Sequence, residues 1–129
     1  MTPELTVLTL AALLQVIQFS MYSAASISQA GPKKAAGPRD NAIVLTGTAG
    51  RLQRAMNNHF EGLILFGIAC FVITISDQSS EFTAACAWIY LGARILYVPA
   101  YVFGWAPWRS LIWMVGLIAT TLMLLTALI

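Results

Sequence analysis

Arg51, Arg54, Asn58 and Glu61 follow one another at spacings of three, four and three residues, and Tyr90, Arg94, Tyr97 and Tyr101 at spacings of four, three and four. At about 100° per residue, the first set shares a helical arc of roughly 80° and the second an arc of roughly 60°. On helices, each set is a narrow polar stripe. The chemistry such stripes can do follows from their charge. Arg51, Arg54, Arg94 and Arg109 face a single acid, Glu61. Guanidinium groups in excess of acids call for an anion from outside the chain, a carboxylate or a thiolate, which arginine binds through a planar fork of donors. The tyrosines add hydroxyl donors. The blander reading is packing: Glu61 pairs with one arginine between helices, while Arg51 and Arg54 snorkel to headgroups. A packing network would be expected near neutrality, which favours the ligand site, but both readings stay open on these residues alone.

The elements that must position these residues are membrane helices. The chain has 129 residues, of which 59% are apolar and 9% charged. Soluble domains carry about 25% charged residues, so this chain cannot cover a water-facing surface. A spanning helix needs roughly 20 residues. Four apolar segments fit, over about 4–29, from a start within 42–51 to 76, 81–103 and 108–129. They fill a single domain, 1–129, so the fold class expected is an all-α integral membrane four-helix bundle. Thr2-Pro3-Glu4 reads as a helix start, and the opening run, without a basic leader or cleavage site, reads as a retained helix. Gly31-Pro32 ends the first helix, and Gly104-Trp105-Ala106-Pro107 ends the third. Ser79 or Ser80 can cap the third helix. Helices one and four read as plain lipid-facing spans. Helices two and three carry the stripes, and charge at bilayer depth costs about 2.5–3.5 kcal/mol.

The first and third loops hold Lys33, Lys34, Arg39 and Arg109; the second holds Asp77 and Glu81. The positive-inside rule then puts the first and third loops in the cytoplasm, with Trp105, Trp108 and Trp113 as an interfacial belt. Net charge is +2, which gives a nucleic-acid partner no support. Cys70 and Cys86 fall in apolar segments and read as core residues. One histidine and no Cys/His cluster give no metal-site pattern. His59 lies off the stripe; it reads as a hydrogen-bonded packing residue, with a general base as the alternative. Gly62, Gly67 and Gly92-Ala93 would let helices approach closely.

Arg51-Leu-Gln-Arg54-Ala55-Met-Asn-Asn58-His-Phe-Glu61 resembles the R-x-x-R-A-x-x-N-x-x-E signature of the MAPEG family, the membrane-associated proteins in eicosanoid and glutathione metabolism. Arg94-Ile-Leu-Tyr97-Val-Pro-Ala-Tyr101 looks like its second motif, and Ala106-Pro107-Trp108-Arg109-Ser110 resembles the start of the last helix in one branch. The motifs stand in the family's order, and the short loops look like those of prokaryotic members. Gly50 stands where many members have an acid.

The resemblance implies a homotrimer in the bacterial inner membrane, with glutathione as co-substrate bound between subunits near the cytoplasmic side. Arg54, Asn58 and Glu61 would hold glutathione, and Arg51, Arg94, Tyr97 and Tyr101 would make further contacts. Arg109 would sit by the sulfur and favour the thiolate, with Ser110 as a thiol hydrogen-bond donor. The activity implied is that of a transferase or peroxidase acting on hydrophobic electrophiles or lipid hydroperoxides drawn from the membrane. The alternatives are a non-enzymatic lipid-binding scaffold of the same fold and a small anion transporter, for which the paired broken helices are absent.

Overall fold

The computed structural model describes residues 1–31 and 45–129. Lys33, Lys34 and Arg39, on which the expected orientation rests, lie outside the described residues. Four helices follow in order: α1 Pro3–Ala30, α2 Gly47–Ile75, α3 Glu81–Val102 and α4 Trp108–Leu128. All four are long and apolar enough to cross a membrane. The ends fall within one or two residues of the sequence expectation, and each has a local cause. Pro3 opens α1, and Thr2 caps it by accepting from the Leu5 amide at 3.3 Å. Ser80 opens α3 with a reciprocal box: its hydroxyl accepts from the Thr83 amide, and its own amide donates to Thr83 Oγ1 at 2.9 Å. Gln29 closes the gap between α1 and α2. Its side chain donates to Thr46 O at 3.0 Å and accepts from Thr46 N at 2.9 Å.

Among the described residues α2 and α3 pack together, α1 lies against both, and α4 lies against both without touching α1. The outward faces carry large exposed apolar residues such as Phe71, Ile75, Ile89, Leu96 and Ile118, as lipid-facing helices must. The apolar core fills the half toward the α2–α3 turn. Phe66 stacks on Tyr90 with ring centres 4.0 Å apart, and Val7, Ile73, Leu91 and Met123 close around them. The polar stripes occupy the other half, toward the α3–α4 connection.

One expectation is overturned: α1 is not a plain lipid-facing span. Its inner face buries Glu4 and Gln18. The Glu4 carboxylate accepts from Ser79 Oγ, at 3.0 and 2.8 Å to its two oxygens, and from Thr83 Oγ1. A carboxylate is tolerated there because hydroxyl donors and the positive end of α1 surround it. Gln18 finds no partner for either side-chain atom among the described residues. Small residues sit at helix contacts at Gly62, Gly67 and Ala93, the last buried against Gly116 of α4. A Cβ on Gly62 would touch Tyr90 Oη at 3.5 Å and one on Gly67 would touch Leu8 at 3.9 Å, so both sit where helices meet. Gly92 faces open space.

Candidate functional site

The site is built where the last two turns of α3 meet the first turns of α2 and α4. Tyr101 sits at its centre. Its hydroxyl accepts from Arg54 Nε at 3.0 Å, and the Arg109 guanidinium lies 4.9 Å above its ring. Two cations from two helices thus share one aromatic anchor, a contact favoured by the ring quadrupole. Beside it, Asn58, Tyr97, Arg109, Ser110 and Trp113 line a cleft of about 140 Å³. Four of the expected site residues therefore converge. Every polar group they bring can donate a hydrogen bond, and no acid is among them.

Arg94 stands behind the cleft and is buried. Its Nη1 donates to Asn58 Oδ1 at 2.9 Å, its Nε to His59 Nδ1 at 3.2 Å, and its charge lies 4.5 Å from the Tyr97 ring centre. Its contacts are all neutral. Nη2 has no partner among the described residues, and neither has the hydroxyl of Tyr90. Both residues line a second, small cavity of about 30 Å³ with Gly62, Trp113, Gly116 and Thr120.

Arg51 does something else. Its Nη1 donates to Val102 O at 3.0 Å, at the C-terminal end of α3, where free carbonyls and the helix dipole favour a cation. Gly104 follows with φ +69°, a left-handed conformation that favours glycine, and the Arg51 guanidinium packs beside it. Glu61 is exposed on the outer face of α2, apart from the cleft. The packing alternative thus meets different partners from those expected: the bonds of Arg51, Arg54 and Arg94 go to a carbonyl, a phenol, an imidazole and an amide, not to Glu61.

Gly50 also has a local reason. A Cβ at this position would lie 2.7 Å from Leu45 O, so a larger residue does not fit this backbone. Two residues at the site were not among those expected there. Trp113 was assigned to the interfacial belt, yet its spacing of four from Arg109 places both on one face of α4. His59 was set apart as a packing residue, and it is buried as such, with Nε2 2.9 Å from Ala11 O. It also touches Arg94, which no helical spacing within α2 can reveal.

No curated protein matches the chain. The family model of the MAPEG family matches residues 5–129, from the first turn of α1 to the end of α4. That match takes in all four spanning helices and every residue of the cleft, and on it this chain is a member of the MAPEG family, an integral membrane protein.

Proposed function

We propose that this chain is a glutathione-dependent transferase or peroxidase of the membrane, acting on hydrophobic electrophiles or lipid hydroperoxides. The observation that carries the reading is the cleft of Asn58, Tyr97, Arg109 and Ser110, a set of donors with one cation and no acid. Glutathione is an anion with two carboxylates and a thiol, and it suits such a lining. A free thiol, with a pKa near about 8.5, is mostly protonated at neutral pH; a guanidinium beside it raises the thiolate fraction. Arg109 is the cation at the cleft, and the Ser110 hydroxyl is a donor for the sulfur. The thiolate then forms a sulfur–carbon bond while the electrophile's leaving group departs with its electron pair, or it takes the outer oxygen of a hydroperoxide and releases the alcohol. Membership of the family supports glutathione chemistry in general and leaves the electrophile open.

In this reading the protein works as a homotrimer. Glu61 lies 14 residues into the 29-residue α2, about 21 Å along its axis at 1.5 Å per residue, and it is exposed on the single chain. A bare carboxylate facing lipid at that depth costs about 2.5–3.5 kcal/mol. A neighbouring subunit and the glutathione amino group would cover it. Arg54, Arg51, Arg94 and Tyr101 complete the surroundings of the ligand. The site faces the cytoplasm, and the membrane is the bacterial inner membrane.

The test is glutathione thiolate formation, read by ultraviolet difference absorbance on detergent-purified protein beside Arg109→Ala. A signal in the parent that the variant loses is the expected result. No signal in either refutes the thiolate reading, and a co-purifying lipid would then favour the scaffold. Glu61→Gln and Arg54→Ala are expected to weaken glutathione binding; retention of parental affinity in both refutes their assignment.

A further inference from the structure

His59 is the chain's one histidine, and it is fully buried where three helices meet. Its Nε2 lies 2.9 Å from Ala11 O of α1, and its Nδ1 3.2 Å from Arg94 Nε of α3. These two partners fix the imidazole. A carbonyl oxygen only accepts and a guanidinium N–H only donates, so Nε2 must carry the proton and Nδ1 must be bare. The ring is therefore neutral while both bonds stand.

The consequence runs on to the cleft. Arg94, held at Nε by His59, directs Nη1 to Asn58 Oδ1 at 2.9 Å. That bond holds the carboxamide oxygen toward Arg94, behind the cleft, and so turns the amide N–H donors of Asn58 toward a ligand. Asn58 lines the cleft, whereas Arg94 stands behind it. An acid at position 59 would hold Arg94 as well, but it would cancel the charge. Neutral imidazole holds the guanidinium and leaves its positive field behind the amide.

From this geometry we infer that His59 is a positioning residue: through Arg94 it fixes the donor face of Asn58 and keeps an unneutralised cation behind the glutathione cleft. As a statement about glutathione, it rests on the functional reading above. As a statement about His59, Arg94 and Asn58, it does not.

Two substitutions separate the halves of the imidazole. In His59→Asn the carboxamide oxygen stands near the place of Nδ1 and still accepts from Arg94, while the tether to α1 is lost. In His59→Gln the longer amide reaches the place of Nε2 and still donates to Ala11 O, while Arg94 loses its acceptor. His59→Gln is expected to weaken glutathione binding about tenfold, the scale of one hydrogen bond to a charged group, and to lower the melting temperature in detergent, because the buried Nε of Arg94 loses its acceptor. His59→Asn is expected to lower the melting temperature as well, through the lost tether to α1, but to keep glutathione affinity within about twofold of the parent. A purely structural histidine would lose affinity in step with stability in both variants, and that result overturns the proposal. So does parental affinity in His59→Gln. A third measurement needs neither variant nor ligand. With a single histidine, ¹⁵N spectra of imidazole-labelled untagged protein read the tautomer directly. The neutral form protonated at Nε2, with an Nδ1 signal that moves in Arg94→Ala, is expected; an imidazolium, or a proton on Nδ1, refutes the assignment. Should the parent take up no glutathione, the functional reading fails alone, and the imidazole spectrum still decides whether His59 holds Arg94.

Discussion

Glu4→Ala tests the least expected part of the fold, the acid buried in the first turn of α1. The parent carboxylate accepts from Thr83 Oγ1, which is buried, and from Ser79 Oγ, whose residue is exposed. Ser79 can turn to water or headgroups once its partner is gone, so its bond is counted as recovered. Thr83 cannot do so, although it keeps its place in the Ser80 capping box. One hydrogen bond to a charged group is worth about 1.5–3 kcal/mol, and an acid at a helix N-terminus adds about 0.3–1 kcal/mol. Relief from burying a charge works the other way. The net expectation is a loss of about 2–3 kcal/mol. Glu4→Gln keeps one acceptor and should lose about half as much. Reversible unfolding of detergent-solubilised protein by titrated dodecyl sulfate, followed by circular dichroism, measures both. The acid is bonded to Thr83, 14 residues before the cleft residue Tyr97 on α3 and so about 21 Å from it along the axis, so glutathione affinity should not change. Stability of Glu4→Ala within about 0.5 kcal/mol of the parent would refute the reasoning, because the hydroxyls would then be as well satisfied without the carboxylate.

Tyr101→Phe removes the acceptor of Arg54 Nε and leaves the ring under Arg109. Glutathione affinity should fall about fivefold, the scale of one hydrogen bond, while thiolate formation on bound glutathione persists; binding isotherms and difference absorbance read the two separately. Gly50→Ala drives a Cβ to 2.7 Å from Leu45 O, a backbone atom that cannot turn aside. It should cost more than about 1 kcal/mol in the same dodecyl sulfate titration, and parental stability would show that the start of α2 can shift.

The parts of this fold legible from sequence are those set by local periodicity. Helix bounds followed apolar runs and breakers, and the two stripes on α2 and α3 followed from 100° spacing. The convergence of Asn58 and Tyr97 is what facing stripes produce, whereas Arg109 and Ser110 join them from α4, which reads as a plain lipid-facing span. The misses have a different origin. Glu4 and Gln18 stand 14 residues apart on α1, about 40° from one another and on one face with Val7 and Ala11; that this face turns toward α2 and α3 rather than lipid is a choice made by tertiary packing. His59 lies off its own helix's stripe but points at α1 and α3 together, and only the three-helix arrangement reveals it. Trp113 had a usable signal, its spacing of four from Arg109, which the interfacial-belt explanation had already absorbed.

The arginines show what the excess of positive charge means. By count alone, four guanidinium groups facing one glutamate are a single reservoir for an anion. In space they divide. Arg51 donates through Nη1 to Val102 O, so one arm of its fork answers the end of α3. Arg94 is held behind Asn58 by neutral partners, and it acts on the cleft through its field and through the amide it orients. Arg54 and Arg109 converge on Tyr101 from α2 and α4, one at its hydroxyl and one over its ring. On the proposed function, a peptide carrying both a carboxylate and a thiolate gives each of these two cations an acceptor of its own.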